Sequence, residues 1–365
     1  MRRGLLNGTA LVAAATAAAA MAAPAQAQIH LSLEGIMQQF LGYANSDTNV
    51  GSGGDAFNGF DVKSNSEIYF VGSTTLDNGL KFGVSITLEG NSNADNQIDD
   101  SFMFVEGSFG RFNIGGENSA GYLMSYAAPD VGLGVNSTSI LTGFLPQAGG
   151  FAGANFFDAP LGSTYLELDA ADKSQKISYF TPRFSGFQLG ASYLPDPNKD
   201  SNAQVDETTV SYRDGFSLGA NYVDTIGEVD VAISGRYDWA NDQSAAGSDP
   251  SLYAFGLNLG YAGFTIGGSY AHTDDQGADT GRSFDLGASY ETGPWGVSVT
   301  YFNGRAEADT TVAGDSTYKA YEGAVSYALG PGVTAIGSVS YQDLDADTGD
   351  KAKTWAVVGG FALEF

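Results

Sequence analysis

An all-β fold, an antiparallel transmembrane β-barrel of sixteen strands, is the architecture this sequence predicts. Three observations point to it. The chain begins like an exported protein, it alternates apolar and polar residues with period 2, and its strand connections are short and long in turn.

The export signal comes first. Met1-Arg2-Arg3 supplies a positive start, Leu11 to Ala23 an apolar alanine-rich core, and Ala25-Gln26-Ala27 a small-x-small cleavage pattern. Residues 1–27 are therefore expected to be a cleaved signal peptide, with 28–365 as the barrel domain and Gln28 as the mature start. A membrane anchor fits less well, because the apolar run is short and a cleavage site follows it. Beyond Gln28 no apolar run is long enough to cross a bilayer as a helix.

Composition agrees with an all-β chain. Hydrophobic residues make up 43%, with 50 glycines, 19 tyrosines and 23 phenylalanines, a mixture rich in strand and turn formers. The absence of cysteine excludes disulfides and thiolate metal sites. With 16 Lys+Arg against 42 Asp+Glu, the formal charge is −26. Such a field repels nucleic acid, which is set aside as a partner.

Strand by strand, alternation recurs over about ten residues, the length that crosses a bilayer when tilted. Phe82, Val84, Ile86 and Leu88 oppose Lys81, Gly83, Ser85 and Thr87. Phe187, Leu189, Ala191 and Tyr193 alternate with Gln188, Gly190 and Ser192. Tyr253 to Tyr261, Trp295 to Tyr301 and Trp355 to Phe365 repeat the pattern, each with one apolar face. A soluble sandwich would alternate too. Here the apolar faces begin and end with aromatics, as membrane-interface girdles do, and the other face is small and polar, as a wet lumen requires.

The connections complete the case. Short ones such as Asp77-Asn78-Gly79, Ala262-Gly263, Gly293-Pro294 and Gly330-Pro331-Gly332 carry tight-turn residues. Long ones lie near 46–63, 92–99, 118–173, 196–213, 240–250, 274–281, 306–317 and 345–353, and most are rich in Asp, Asn, Ser and Gly. Short periplasmic turns and long outer loops are the asymmetry expected of such barrels. Sixteen strands result, with 206–224 open to a second reading as its own hairpin. Strand 1 should pair with the strand ending at Phe365, since an open edge in lipid leaves backbone groups unsatisfied. The longest connection, 118–173, holds Tyr122, Leu123, Tyr126, Phe144, Phe151, Phe156 and Phe157. A loop that apolar should bury itself, and the barrel interior is the available place.

The chain resembles the Gram-negative general diffusion porins, nearest to the sixteen-stranded trimeric group of α-proteobacteria. The matching stretches are Gly110-Arg111-Phe112-Asn113-Ile114-Gly115-Gly116, Ile177-Ser178-Tyr179-Phe180-Thr181-Pro182 and Gly186 to Tyr193. Tyr290-Glu291-Thr292-Gly293-Pro294-Trp295 and Ser326 to Val333 extend them, and Phe365 fits the signal read by outer-membrane assembly machinery. The resemblance implies residence in the outer membrane, a homotrimer among lipid and lipopolysaccharide, and a third loop that constricts the pore. It also implies an acidic loop facing a basic wall. Glu117, Asp130, Asp158, Glu167, Asp169 and Asp172 are the acidic candidates, and strand parity gives Lys63, Lys81, Lys176 and Arg236 for the wall. Dense strand arginines, common among relatives, are missing here.

Other chemistries fit poorly. A barrel hydrolase would need a Ser–His pair, yet the two histidines are His30, beside the mature start, and His272, on an outward parity near the outer rim. Asp343 to Asp350 resembles a calcium loop, but its glycine is one place late and Thr354 stands at the twelfth position. A solvated acidic loop is the plainer reading, with structural calcium at the acidic loops as the alternative. The expected function is a water-filled passive channel for small polar solutes and ions, preferring cations and needing no cofactor. The rivals are a substrate-specific channel and a structural or adhesive barrel.

Overall fold

The computed structural model describes residues 29–48, 59–91, 97–136, 144, 162–167, 173–197, 212–243, 249–274, 280–307, 315–346, 349 and 351–365. The expected signal peptide, 1–27, lies outside them, as do Asp158, Asp169 and Asp172.

The described strands are β1 His30–Thr48, β2 Gly59–Thr75, β3 Lys81–Glu89, β4 Ile98–Gly107, β5 Gly110–Gly116, β6 Gln175–Phe180, β7 Phe187–Leu194 and β8 Tyr212–Ile226. They continue as β9 Val229–Asp242, β10 Ser251–Tyr261, β11 Phe264–Asp274, β12 Gly281–Thr292, β13 Trp295–Ala306, β14 Ser316–Gly330, β15 Val333–Asp345 and β16 Lys351–Glu364. Each pairs with its sequence neighbours, and β1 with β16, so the sheet closes on itself. Closure leaves no strand edge unpaired in lipid, where each orphaned backbone group would cost several kcal/mol. The seam is tied at its base, where Gly35 N–H donates to Phe365 O at 2.9 Å and Phe365 N–H to Gly35 O at 3.1 Å. The hairpin considered for 206–224 does not form over its described part. β8 runs unbroken there, with a register irregularity between Arg213 and Phe216.

The short ends turn tightly. At the β10–β11 corner Ala262 and Gly263 have φ of 50° and 86°, the left-handed pair that a two-residue hairpin of matching twist needs. Strand lengths divide the barrel. β3 to β7 have 9, 10, 7, 6 and 8 residues, whereas the others have 11 to 19.

Outside, two aromatic bands flank the aliphatic zone. Near the short turns lie the contacting sets Phe109, Phe112 and Tyr179, then Phe187 with Tyr222, Phe264 with Tyr290, and Trp295 with Tyr327. Near the long loops Tyr193, Phe216 and Trp239 begin a second band, and Tyr301, Tyr321, Tyr341, Trp355 and Tyr43 continue it. Rings at both levels match the two water interfaces of a bilayer.

The sequence places the apolar wall of a trimer near strands 1–5, at Phe40, Leu41, Ile68, Phe70, Phe102 and Phe104, and register corrects part of it. Leu41 and Phe70 face outward, 56% and 42% exposed, but Phe40 and Phe104 are 1% and 5% exposed and point into the barrel. Phe102 shares the inner parity of Phe104. Residues one apart in a strand take opposite faces, so an aromatic cluster read without register mixed the two sides.

Candidate functional site

The described part of the chain between β5 and β6 turns inward and lies along the inner wall. It opens with a short helix, α1 Ala120–Leu123, capped where Ser119 Oγ accepts from Tyr122 N–H. From there its backbone N–H groups are accepted by inward side chains of one strand after another. Ala120 donates to Ser192 of β7 at 2.8 Å, Gly121 to Ser217 of β8 at 2.9 Å, and Tyr126 to Ser234 of β9 at 2.9 Å. Ala128 then donates to Asp285 of β12 at 3.0 Å and Val131 to Ser298 of β13 at 3.1 Å. Leu133 and Gly134 donate to the two oxygens of Glu322 on β14, at 2.9 and 3.0 Å. The segment is a belt, fastened around half of the barrel.

A backbone can approach a wall this closely only where the wall has no side chain. Inner-face glycines supply that room. A Cβ on Gly256 would meet Tyr126 O at 1.9 Å, and one on Gly219 would meet Gly121 Cα at 3.0 Å. The end of the belt is apolar. Val135 and Phe144 pack with Phe40, Phe302, Tyr318 and Val358, closing the interior between β13 and β1.

The return leg sits nearer the long loops. Leu166 packs with Leu194, Ala240, Leu252, Ala254 and Ala271. Thr164 Oγ1 and Ser269 Oγ share a 2.6 Å hydrogen bond, and Ser283 Oγ donates to Ser163 O at 2.7 Å. Asn136 ties the two legs, accepting from Thr164 N–H at 2.7 Å and donating to Asp285.

One arc of the inner wall, β2 to β5, takes none of these belt bonds among the described residues. Its inner face carries Asn65, Glu67 and Tyr69 on β2, Lys81, Ser85 and Thr87 on β3, Phe104 and Glu106 on β4, and Arg111 and Asn113 on β5. The side chains form ladders along the wall. Tyr69 Oη donates to Glu67 at 2.6 Å, and Arg111 Nε donates to Asn113 Oδ1 at 2.7 Å. Phe104 is flanked by two cations, with the Arg111 guanidinium 4.0 Å and Lys81 Nζ 5.5 Å from its ring centre.

The residues expected to form a charged constriction divide between these surfaces. Lys63 and Lys81 lie on the inner face of β2 and β3, Lys63 paired with Asp61 at 2.5 Å. Lys176 and Arg236 also face inward but are 4% and 5% exposed beneath the loop. Lys176 donates to Glu117 O, and Arg236 Nη2 donates to Leu166 O, so both hold loop carbonyls instead of lining water. Arg236 is further paired with Asp238 at 3.8 Å.

The described acidic candidates, Glu117, Asp130 and Glu167, are engaged as well. Asp130 Oδ1 accepts from Ser298 Oγ at 2.9 Å and from Gly132 N–H at 2.7 Å. Glu167 accepts from Ser119 N–H at 3.1 Å. Glu117, 7% exposed, accepts from Asn113, and burial pushes its carboxyl up to about 7 against the pull of that bond and of Arg111.

Three functional residues were missed in the sequence. Asp285 and Glu322 look like lumen carboxylates but anchor the belt, and Arg111 was read as part of a motif although its parity with Asn113 places it inside. Among the described residues no group of three or more His, Asp or Glu side chains is placed to hold a metal. Asp347 and Asp350 of the acidic loop lie outside those residues.

A family model for Gram-negative porins matches residues 14–347. A porin of Rhodobacter capsulatus is 26% identical, covering 66% of this chain and 87% of its own. An outer membrane porin protein of Bordetella pertussis is 28% identical over 69% of this chain and 66% of its own. This chain spans 60 and 65% of the length of two uncharacterized relatives, from Rickettsia conorii and Rickettsia bellii. The anion-selective porin from Comamonas acidovorans superposes with a TM-score of 0.65 at 18% identity, covering 93% of this chain and 100% of that one. A loop-deleted OmpT of Vibrio cholerae gives 0.60 at 15% identity, covering 92% and 99%. At those identities the structures speak for the fold, a closed barrel of the same kind. With the family model matching from residue 14 to residue 347 over such a barrel, the chain belongs to the Gram-negative porin family of the outer membrane.

Proposed function

We propose that the protein is a non-catalytic, water-filled diffusion channel for small hydrophilic solutes and ions, and that it prefers cations. The observation that carries this reading is the divided lumen. Belt and apolar tip fill one side, and the arc β2 to β5 stays polar and carries charges of both signs. Solutes then pass between the belt and that arc, which sets width and charge at the narrowest point.

Cation preference rests on local and global charge together. Lys63 is answered by Asp61, and Arg111 by Glu106 at 3.9 Å, which leaves Glu67 and the inward Glu34 of β1 to outweigh Lys81. The whole chain carries −26, and Asp158, Asp169 and Asp172 of the same loop would add to the acidic side. The anion selectivity named for the Comamonas porin belongs to that protein, whose likeness here is one of fold. Reversal potentials in planar bilayers under a potassium chloride gradient test the reading. Potassium should be preferred at low salt and less so at high salt, as screening shortens. Chloride preference at low salt would overturn it.

The channel reading includes a homotrimer. The long-loop aromatic band is interrupted over β3 to β6, where Ile86, Ile98, Met103, Ile114 and Ile177 face outward, 38 to 51% exposed. Those strands are also among the shortest, so this wall lacks the lipid-interface ring on its long-loop side and suits another subunit. Native mass spectrometry in mild detergent should give three copies, and a monomer would count against it.

A further inference from the structure

The water path runs past rings that the barrel does not need for its fold. Aromatic side chains outside meet the two membrane interfaces, and Phe144 inside is packed into the apolar tip. Tyr122, Tyr126 and Tyr165 do neither. Tyr122 and Tyr126 stand four residues apart on the belt, where Ala120, Met124 and Ala127 take the wall side, 0 to 8% exposed. Both tyrosines stay half-buried, so their rings leave the wall for the lumen. Tyr165 comes to them from the return leg, its ring centre 5.7 Å from that of Tyr122. Burial first, then the nearby Asp285, pushes the Tyr165 phenol up, and Tyr122 and Tyr126 add to it against Arg236. The three phenols therefore share one place.

The geometry of the set selects among solutes. The Tyr122 and Tyr165 planes are inclined at 53°, so the pair is a wedge and not a flat platform. A wedge presents two negative ring faces to one rounded head. A flat sugar ring would find only one of them. Tyr122 already takes a cation from the wall, where the Arg236 guanidinium stands 5.9 Å from its ring centre. Asp238 answers that guanidinium at 3.8 Å, so it adds little repulsion toward the lumen. Glu67 and the inward Glu34 border the same passage, and their field concentrates cations beside the rings.

We propose that Tyr122, Tyr126 and Tyr165 form a lumen subsite that holds organic ammonium ions, quaternary ones above all, as they pass the belt. A methylated ammonium spreads its charge over an apolar surface, sheds water at small cost and gains from both ring faces. Potassium keeps its water and crosses without stopping there. The subsite thus enriches and slows one class of solute beside the belt. The inference rests on the reading of the chain as a channel whose passage lies between belt and arc.

The test is potassium current through the purified mature protein in planar bilayers, titrated with choline and, separately, with its uncharged isostere 3,3-dimethylbutan-1-ol. Choline should block the current saturably, and the isostere should not at the same concentrations. Y122L/Y165L should weaken the block about tenfold, the size expected for two lost rings. Y122F/Y165F keeps the rings and should be blocked as the parent is. Equal block by choline and the isostere, or by choline and maltose, would overturn the ammonium as the ligand. Unchanged block in Y122L/Y165L, or an equal loss in Y122F/Y165F, would overturn the rings as the site. Should Y122L/Y165L fail to fold, the comparison of choline with its isostere in the parent decides alone. Saturation-transfer NMR with choline in detergent micelles reads binding without current. A parent that binds choline there but passes no ions would defeat the channel reading and leave the subsite standing. One that conducts potassium and binds no choline would do the reverse.

Discussion

The inner wall of β7 to β14 and that of β2 to β5 obey the same alternation, yet they do different work. Under the belt, serines and carboxylates accept backbone N–H groups and are buried: Ser217 is 0% exposed and Asp285 1%. On the bare arc, equivalent positions hydrogen-bond along the wall, as Tyr69 does to Glu67. The difference lies in what each wall faces. A peptide segment laid against a wall brings donors that cannot remain unpaired, so a carboxylate there is structural. The same carboxylate facing water acts on passing ions.

The sharpest way to break that contrast is to remove the belt's charged anchors. Asp285 accepts from Ala128 N–H and from the side chains of Asn136 and Ser269, and Glu322 accepts two N–H groups and Ser338 Oγ. Bonds to a charged acceptor are worth about 1.5–3 kcal/mol each. The double variant Asp285→Ala, Glu322→Ala should release the middle of the belt and raise single-channel conductance severalfold. An unchanged conductance would mean that the belt does not limit flow.

Charge on the bare arc should act on selectivity and leave conductance nearly unmoved. Two unit charges about 4 Å apart in water interact by about 1 kcal/mol, a factor of about five in local ion concentration. Glu67→Gln should therefore weaken cation preference by up to about that factor in permeability ratio, and Lys81→Glu, a change of two charges, should strengthen it by up to about the square of it. Arg236→Gln is the matched comparison. Its guanidinium lies beneath the loop on Leu166 O, so its loss should unsettle the return leg more than it shifts the reversal potential. A shift as large as that of Lys81→Glu would place Arg236 in the ion path.

Alternation made the barrel legible, because every strand repeats one rule and lipid permits few other folds. The inward course of the loop was legible as well, since Tyr122, Tyr126 and Phe144 could not stay in water. The roles of the charged residues were not. Lys81 and Lys176 share a parity in the sequence, and only the path of the belt decides that one keeps its ammonium near the lumen while the other holds Glu117 O. A faint signal existed. Ser192, Ser217 and Ser234 recur beside Gly190, Gly219 and Gly256 on inner faces, the pairing of acceptor and open space that a docked backbone requires.

A smaller effect separates the two regions at the belt's root. Burial lifts the Glu117 carboxyl from 4.5 to about 7, so the folded protein holds this proton more tightly than the unfolded chain. Its contribution to stability is complete below about pH 4.5 and is lost as pH rises through about 7. The thermal midpoint should thus fall between pH 5.5 and 8 by more in the parent than in Glu117→Gln, which cannot ionise. Identical pH profiles would show that this carboxyl does not titrate in the window.

The finest comparison uses one hydroxyl on each surface. Ser234 and Ser85 both face inward, and both lose a single oxygen on mutation to alanine. Ser234 is 5% exposed and accepts Tyr126 N–H at 2.9 Å, beside Gly256, where the wall and belt are too close for a side chain to fill the gap. Removing that oxygen leaves a buried donor unpaired, at a cost of about 1–3 kcal/mol. Ser85 lies on the arc free of belt bonds, where water can replace what the hydroxyl gave up, so its loss should stay within about 0.5 kcal/mol. Reversible urea unfolding into lipid vesicles would measure both variants on one scale. If Ser85→Ala proved as costly as Ser234→Ala, the belt's serines would be ordinary strand residues, and the fastening would rest on Asp285, Glu322 and the apolar tip alone.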